Sequence, residues 1–444
     1  MITRASSDSR LAVSIPPSCH KLFDAIGVGD AVDRAGFVRA TGNTVWWGQK
    51  EPRVELFSDG ARGWQVHAPV LEHVMIGAAA ASGVVVERRL IGDEDLQTRE
   101  GAFLIDASGR SGVLARANGL RSYDEGPRTV ALSASWTRPD PWPVPDDSHT
   151  LIESYDSGWA WSVPVVDRKP QAASRKLSIR HIAVMVDPQR SGLVRGAAAR
   201  DVYRAEIAKT VAFRALVAAA DCAEGPSGWD ASGYRAKQYA GDHWLLAGDA
   251  GSFIDPLSSA GVKKALASGW LAAVAVHTSL ARPSMRSHAL AFFSQREHEI
   301  EQHYSRMSRL FLAEAAPTHP HAFWRDRSSS PDAPAAVDAA AVRAAFEHLR
   351  ATPGIRLSPG EARIEHRPCV RGHEIVLEPG IVAGDESIRF VSGIDVVALR
   401  ALGPQFSQVP DLFEAYCQTH GDVSLPDFLL ALATAIARRW LVAQ

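Results

Sequence analysis

The sequence predicts an α/β chain of the α+β kind, and three stretches carry that prediction. Helix-period and strand-period segments alternate over the first 110 residues, and strand patterns dominate from 130 to 186. Between 243 and 269 an apolar strand runs into a glycine turn and then a long helix. Taken in order, Pro16 and Pro17 announce a helix over 18–32, with Leu22, Phe23, Ile26 and Val28 apolar. Segments 44–47, 54–57 and 64–66 read as short strands, and 70–81 as a helix ending at Gly83. Strands follow at 84–86 and 103–105, then a second sheet built from 130–136, 159–166 and 177–186. A helix is expected over 201–218 and a strand over 243–247.

Length and composition bound the answer. At 444 residues the chain is too long for one ordinary compact domain, and 46% hydrophobic with 22% charged residues is enough to bury a sizeable core. Lys and Arg number 48 against 50 Asp and Glu, so no excess positive field recruits nucleic acid or an anionic membrane. Cys19, Cys222, Cys369 and Cys417 stand far apart with no CxxC pair, which argues against a zinc site or a disulfide framework and favours a reducing, cytoplasmic setting. The most lipid-like stretch, 265–281, is interrupted by Ser268, Gly269, His277, Thr278 and Ser279, and falls short of the roughly 20 apolar residues a membrane span needs. It is expected to be a buried helix. Composition shifts to Pro, Ala, Ser and His after 314, which predicts a first domain over 1–314, a linker over 315–350 and a small domain over 351–444. In that last part 362–366, 374–378 and 388–391 read as strands, and 394–402, 409–420 and 425–441 as helices.

Two segments carry chemistry. In 103–112 an apolar strand ends in Asp106 and a turn containing Gly109, Arg110 and Gly112, where backbone can approach a dinucleotide closely at the carboxyl end of a sheet. In 243–269 a strand ends at Gly248 and Asp249, a loop passes through Pro256, and a helix opens near Gly261. Its first amides and positive dipole end suit an electron-rich ring, and a carboxylate just past a strand is placed to accept bonds from a sugar-alcohol chain.

The order of these two segments resembles the second and third flavin fingerprints of the FAD-dependent aromatic hydroxylase fold, most closely its flavin-dependent halogenase-like branch. Residues 14–48 look like the same branch, and the resemblance covers roughly 10–310. It implies FAD as cofactor, with Asp106, Gly109 and Arg110 near the pyrophosphate, and Gly248 and Asp249 at the ribityl chain. Pro256 would border the flavin ring, and the amides of Gly261, Val262 and Lys263 would face its pyrimidine edge. Trp159 and Trp161, in a stretch similar to the branch's two-tryptophan pattern, share one strand face and become candidates for the side where flavin meets substrate. A core strand is the bland reading of the same pair.

Departures shape the functional expectation. The family opens with a strand, a GxGxxG turn and a helix; Gly27 and Gly29 imitate that turn, but they follow a helix and position 32 is Val32. Thr3 and Arg4 stand where an acidic ribose partner belongs. The expectation is a reading frame begun late, with a flavoprotein of poor FAD affinity as the alternative. The relay lysine of the halogenases has no match, since 44–48 fills its strand; Lys50 lies off the pattern, and of Lys263 and Lys264 on the flavin-side helix at least one reads as a surface lysine. His20, His73 and His277 are lone histidines on helical patterns. The leading expectation is therefore an FAD-dependent monooxygenase acting on an indole or phenol, free or carried on a peptide, with reduced flavin from a separate reductase. A halogenase is the enzyme alternative, and a flavin-free peptide-binding accessory protein is the alternative from another class. The order of strands and helices after 351 resembles a winged-helix peptide-recognition element.

Overall fold

The computed structural model describes residues 1–3, 11–97, 102–124, 126–166, 178–328, 339–351, 354–383 and 386–443. It divides into two compact units, Met1–Val276 with Phe293–Ser330, and His277–Phe292 with Pro331–Gln444.

The centre of the first unit is a seven-stranded sheet in the order Asp221–Asp230, Val130–Arg138, Ser178–Val186, Gly158–Val165, Thr150–Tyr155, Gly42–Trp46, Arg53–Leu56. Every neighbouring pair is antiparallel except Thr150–Tyr155 with Gly42–Trp46. Strand alternation sorts its side chains. Leu132, Ala160, Ile182 and Val184 point to one face, where Val202, Tyr203, Ile207, Phe213 and Leu216 from the helices Ala199–Lys209 and Ala212–Val217 cover them. Ala131, Trp159, Ala183 and Met185 point to the other face, together with Val45, Leu312 and Trp324.

The rest of this unit is built from smaller pieces. Ile2–Thr3 pairs in parallel with Glu87–Arg88, and Leu104–Asp106 pairs in parallel with Trp244–Leu246. A three-stranded sheet of Ala12–Ile15, Gly63–His67 and Val38–Ala40 closes over Cys19, Phe23, Val28 and Val32, and Val262 and Leu266 of the helix Gly261–Ala281 pack on that core. Among the described residues no helix is long and apolar enough to cross a membrane.

Several expected elements are redrawn. The 18–32 helix is broken into Pro17–Cys19, His20–Ala25 and Gly29–Arg34, because Gly27 takes a φ of 72° that a helix cannot continue through. The 84–86 stretch is not a strand; Val85 is exposed and pairing begins at Glu87. The 201–218 helix is two helices, parted where Thr210 turns to extended backbone. Two strands of the central sheet went unread, Thr150–Tyr155 and Asp221–Asp230. The first hides behind Glu153, which is buried because it accepts the amides of Val211 (2.5 Å) and Phe213 (3.0 Å). The 315–350 linker is largely helical where it is described, at Ala322–Ser328 and Ala339–Ala351. Its polar composition misleads because Phe323 and Trp324 are fully buried, and the Trp324 indole donates to the carbonyls of Tyr155 and Asp156 at 3.0 Å.

In the second unit Arg363–Arg371, Glu374–Ala383 and Glu386–Ile388 form an antiparallel sheet. Helices Val396–Leu402, Val409–His420 and Leu425–Ala437 enclose a core of Leu399, Leu412, Tyr416, Phe428 and Leu432. The last helix stops before the expected 441, because Arg439 adopts a φ of 58° and Leu441–Ala443 pairs with Leu357–Pro359 as a strand.

Candidate active site

Strand Trp244–Leu246 delivers the chain to the turn Gly248–Ala250. Gly248 has a φ of 60°, its N–H donates to Ser268 Oγ at 2.8 Å, and a Cβ there would come within 3.3 Å of the Ala265 methyl. The turn is thereby pinned to the helix Gly261–Ala281. Asp249 follows with its side chain part-exposed, and Lys264 from that helix brings its ammonium to 3.5 Å. Lys264 is buried and also donates to the Ser252 carbonyl. Burial pushes the Asp249 carboxyl up, and Lys264 and Arg110 oppose that shift. Of the two helix lysines, Lys264 is the buried one and Lys263 is half-buried. Position 264 lies on the buried stripe of Ala260, Ser268, Leu271, Ala272 and Ala275, a helical spacing that was visible in the sequence.

Beyond the turn, Asp255 caps Pro256–Ser258 by accepting the Leu257 amide at 2.9 Å, and Ser259 takes a φ of 49°. The helix then opens at Gly261, with nothing within 4 Å of where a side chain would stand. The first intrahelical bond beyond this opening runs from Lys264 N–H to Ala260 at 2.8 Å, so the amides of Gly261, Val262 and Lys263 belong to the first turn, which lacks intrahelical acceptors. The Val262 side chain packs away, into the core with Ile15 and Phe23.

Asp106 is tied into its own turn. One oxygen accepts the Ser108 amide (3.0 Å) and hydroxyl (2.6 Å), and the other accepts the Leu114 amide (2.9 Å). It shapes the turn in which Gly109, at φ 63°, faces open space. Arg110 lies 3.9 Å over the Phe253 ring, donates to the Ser232 carbonyl at 3.3 Å and stands 3.6 Å from Asp230. Arg121, which the sequence reading missed, stacks 3.9 Å over Tyr234, whose hydroxyl donates to the Asp249 carbonyl at 2.5 Å. The Arg121 Nε and Nη2 are buried without an acceptor, with Nη2 where a side chain on Gly112 would stand. Orphaned guanidinium nitrogens next to a glycine turn and Asp249 fit an anionic, oxygen-rich group such as the ribityl-diphosphate portion of FAD.

Trp159 and Trp161 share a sheet face, as expected, at positions opposite Met185 and Ala183. Leu257, next to Pro256, packs on the same cluster, so the Pro256 loop and the tryptophan face meet. Both indole nitrogens, and both nitrogens of the neighbouring His181, are buried without partners. Burial lowers the His181 pKa to about 4, with His67 adding to the effect. A cavity of about 780 Å³ opens beside Phe253 and Asp255 and shares Ala231 and Leu312 with the tryptophan cluster.

No family model matches the chain. Among curated proteins, two flavin-dependent halogenases of Armillaria mellea are each 29% identical to it, over 218 and 251 residues. Those matches cover 46% and 52% of this chain and 42% and 46% of the relatives, so the chain spans less than half the length of these relatives. A tryptophan 2-halogenase of Chondromyces crocatus is 26% identical over 310 residues, 64% of this chain and 56% of its own. Among solved structures, the flavin-dependent halogenase CmlS superposes with a TM-score of 0.77 at 18% identity, over 100% of this chain and 90% of that one. The peptidyl tryptophan dihydroxylase QhpG gives 0.64 at 20% identity, over 99% and 91%. By sequence this chain is similar to flavin-dependent halogenases over about half its length, and by architecture it has the fold of the CmlS structure, a flavin-dependent halogenase.

Proposed function

We propose that the chain is an FAD-dependent oxidoreductase that hydroxylates an electron-rich aromatic ring, an indole or a phenol. The observation that carries this reading is the buried Lys264 holding Asp249 at the end of a loop whose Leu257 packs on the Trp159 and Trp161 face. Asp249 would hold the ribityl chain, and the orphaned nitrogens of Arg121 would hold the diphosphate. The first-turn amides of Gly261, Val262 and Lys263 would face the ring edge. Bound and reduced, flavin supplies the two electrons that activate O₂, a task beyond amino-acid side chains. The protein contributes a dry wall of Trp159, Trp47 and Leu312, which excludes water, and a His181 whose pKa burial lowers to about 4. Reduced flavin would come from a separate reductase, and the substrate is free or carried on a peptide.

Halogenation is the second reading, favoured by the curated relatives. Against it, strand Gly42–Trp46 offers no lysine, and Lys50 is exposed past its end. Turnover of phenols and indoles, free and within short peptides, under isotopically labelled O₂ with and without bromide separates the two. A product carrying labelled oxygen at the same yield with bromide present supports hydroxylation. A brominated product assigns halogenation. A chain that never retains FAD favours the accessory-protein reading.

A further inference from the structure

The cavity beside Phe253 and Asp255 has a charge pattern that the flavin turn does not use. Four arginines line it, and two are already committed. Arg128 pairs with Asp230 at 2.7 Å, and Arg327 is held by the Asp187 carboxylate at 3.4 Å, the Arg128 carbonyl at 2.6 Å and Thr129 at 3.2 Å. Arg235 and Arg309 have no carboxylate within ion-pair range among the described residues. Arg309 gives only its Nε, to the Ser305 carbonyl at 3.2 Å, which leaves both terminal nitrogens available. Beside it Ser308 is 3% exposed, and its hydroxyl is buried without a partner.

The acids of the lining do not satisfy these groups. Asp326 is paired with Arg190 at 2.7 Å, Asp255 accepts the Leu257 amide, and Asp124 stands exposed at the rim. Phe253, Ala231 and Leu312 supply an apolar wall, the last two continuous with the cluster around Trp159. The volume is within the range of small-molecule sites. A planar guanidinium with free terminal nitrogens and a buried hydroxyl form a donor set for a carboxylate, while the apolar wall suits a ring.

We propose that this cavity receives the carboxylate of an acidic aromatic substrate, held by Arg309 and Ser308 with the ring directed toward the tryptophan cluster. This deepens the hydroxylase reading and rests on it for the fate of the ring, but the binding step is testable alone. Calorimetric titration of the full chain with para-hydroxybenzoate and with para-hydroxybenzamide, for the native protein and for Arg309→Gln and Arg309→Lys, provides the test, with FAD retention recorded in parallel. The expected result is a preference of about tenfold or more for the acid over the amide, lost in Arg309→Gln and partly kept in Arg309→Lys, with FAD retention equal in all three. Equal binding of acid and amide, or binding of neither, overturns the proposal. So does a fall in FAD retention in Arg309→Gln, which would give the anion site to the cofactor. An acid preference in a chain that retains no FAD would sustain the cavity assignment and remove the hydroxylase reading instead.

Discussion

The Lys264 ammonium lies 3.5 Å from the Asp249 carboxylate, with the lysine side chain wholly buried. A cation so placed needs its partner, because an unpaired buried charge is costly. The Ser252 carbonyl is its other acceptor. Asp249, by contrast, is part-exposed and retains Arg110 and Arg121 as electrostatic partners.

That asymmetry predicts unequal effects of breaking the pair. Asp249→Ala strands the lysine and is expected to cost about 2–3 kcal/mol, whereas Lys264→Met leaves a carboxylate that can reach solvent and is expected to cost less. Urea denaturation of both variants measures the difference; a larger loss in Lys264→Met would contradict the assignment of roles.

Glu297 sits behind this pair, fully buried, and burial raises its carboxyl to about 7, with Ser268 and Lys264 pulling the other way. Its folded pKa is thus above the unfolded value of 4.5. The native state holds its proton more tightly, so this contribution to stability is complete below pH 4.5 and is lost as pH rises toward 7. The expected loss is about 1–3 kcal/mol, and Glu297→Gln should flatten that part of the profile. A native profile that rises through this window, with no change in the variant, would remove Glu297 as its source.

Gly248 and Gly109 separate backbone strain from crowding. Both have positive φ, but only Gly248 has a neighbour, Ala265, within reach of a new Cβ. Alanine at 109 should cost about 1 kcal/mol, and at 248 more than that, with Gly248→Ala also moving Asp249 and weakening flavin retention. Thermal melts with and without FAD read both effects, and equal costs would deny the close packing.

Asp106→Asn tests whether that carboxylate serves the turn. Asparagine has one acceptor oxygen where the native residue meets Ser108 and Leu114 donors on both, so one donor is left facing an NH₂ group. A destabilisation of about 1–2 kcal/mol is expected. Lost FAD retention at undiminished stability would return Asp106 to the ligand.

Much of the site was readable because turn chemistry is local. Gly248, Asp249, Pro256 and Gly261 each have a backbone reason for being where they are, and the alternation of Trp159 and Trp161 places both on one face whatever covers it. What could not be read depends on long-range partners. Glu153 places a charge in the middle of a buried strand and is accommodated by amides about sixty residues downstream in the chain. Asp221–Asp230 contains Gly225 and Pro226, which argue against a strand, and it stands at the sheet edge where both are tolerated. Trp324 lies in a polar, proline-rich neighbourhood, yet two carbonyls from the central sheet's hairpin hold it in the core. Arg121 has no sequence signal, since its importance comes from the missing acceptor and not from its neighbours in the chain.

The most direct test is a titration of the purified chain with FAD, followed by desalting and a visible absorption spectrum, alongside Asp249→Asn and Arg121→Gln. Retained flavin absorbance in the native chain, with binding weakened about tenfold or more in each variant and unchanged far-ultraviolet circular dichroism, is the predicted result. Flavin retained equally by all three proteins would contradict the placement of the cofactor at Asp249 and Arg121.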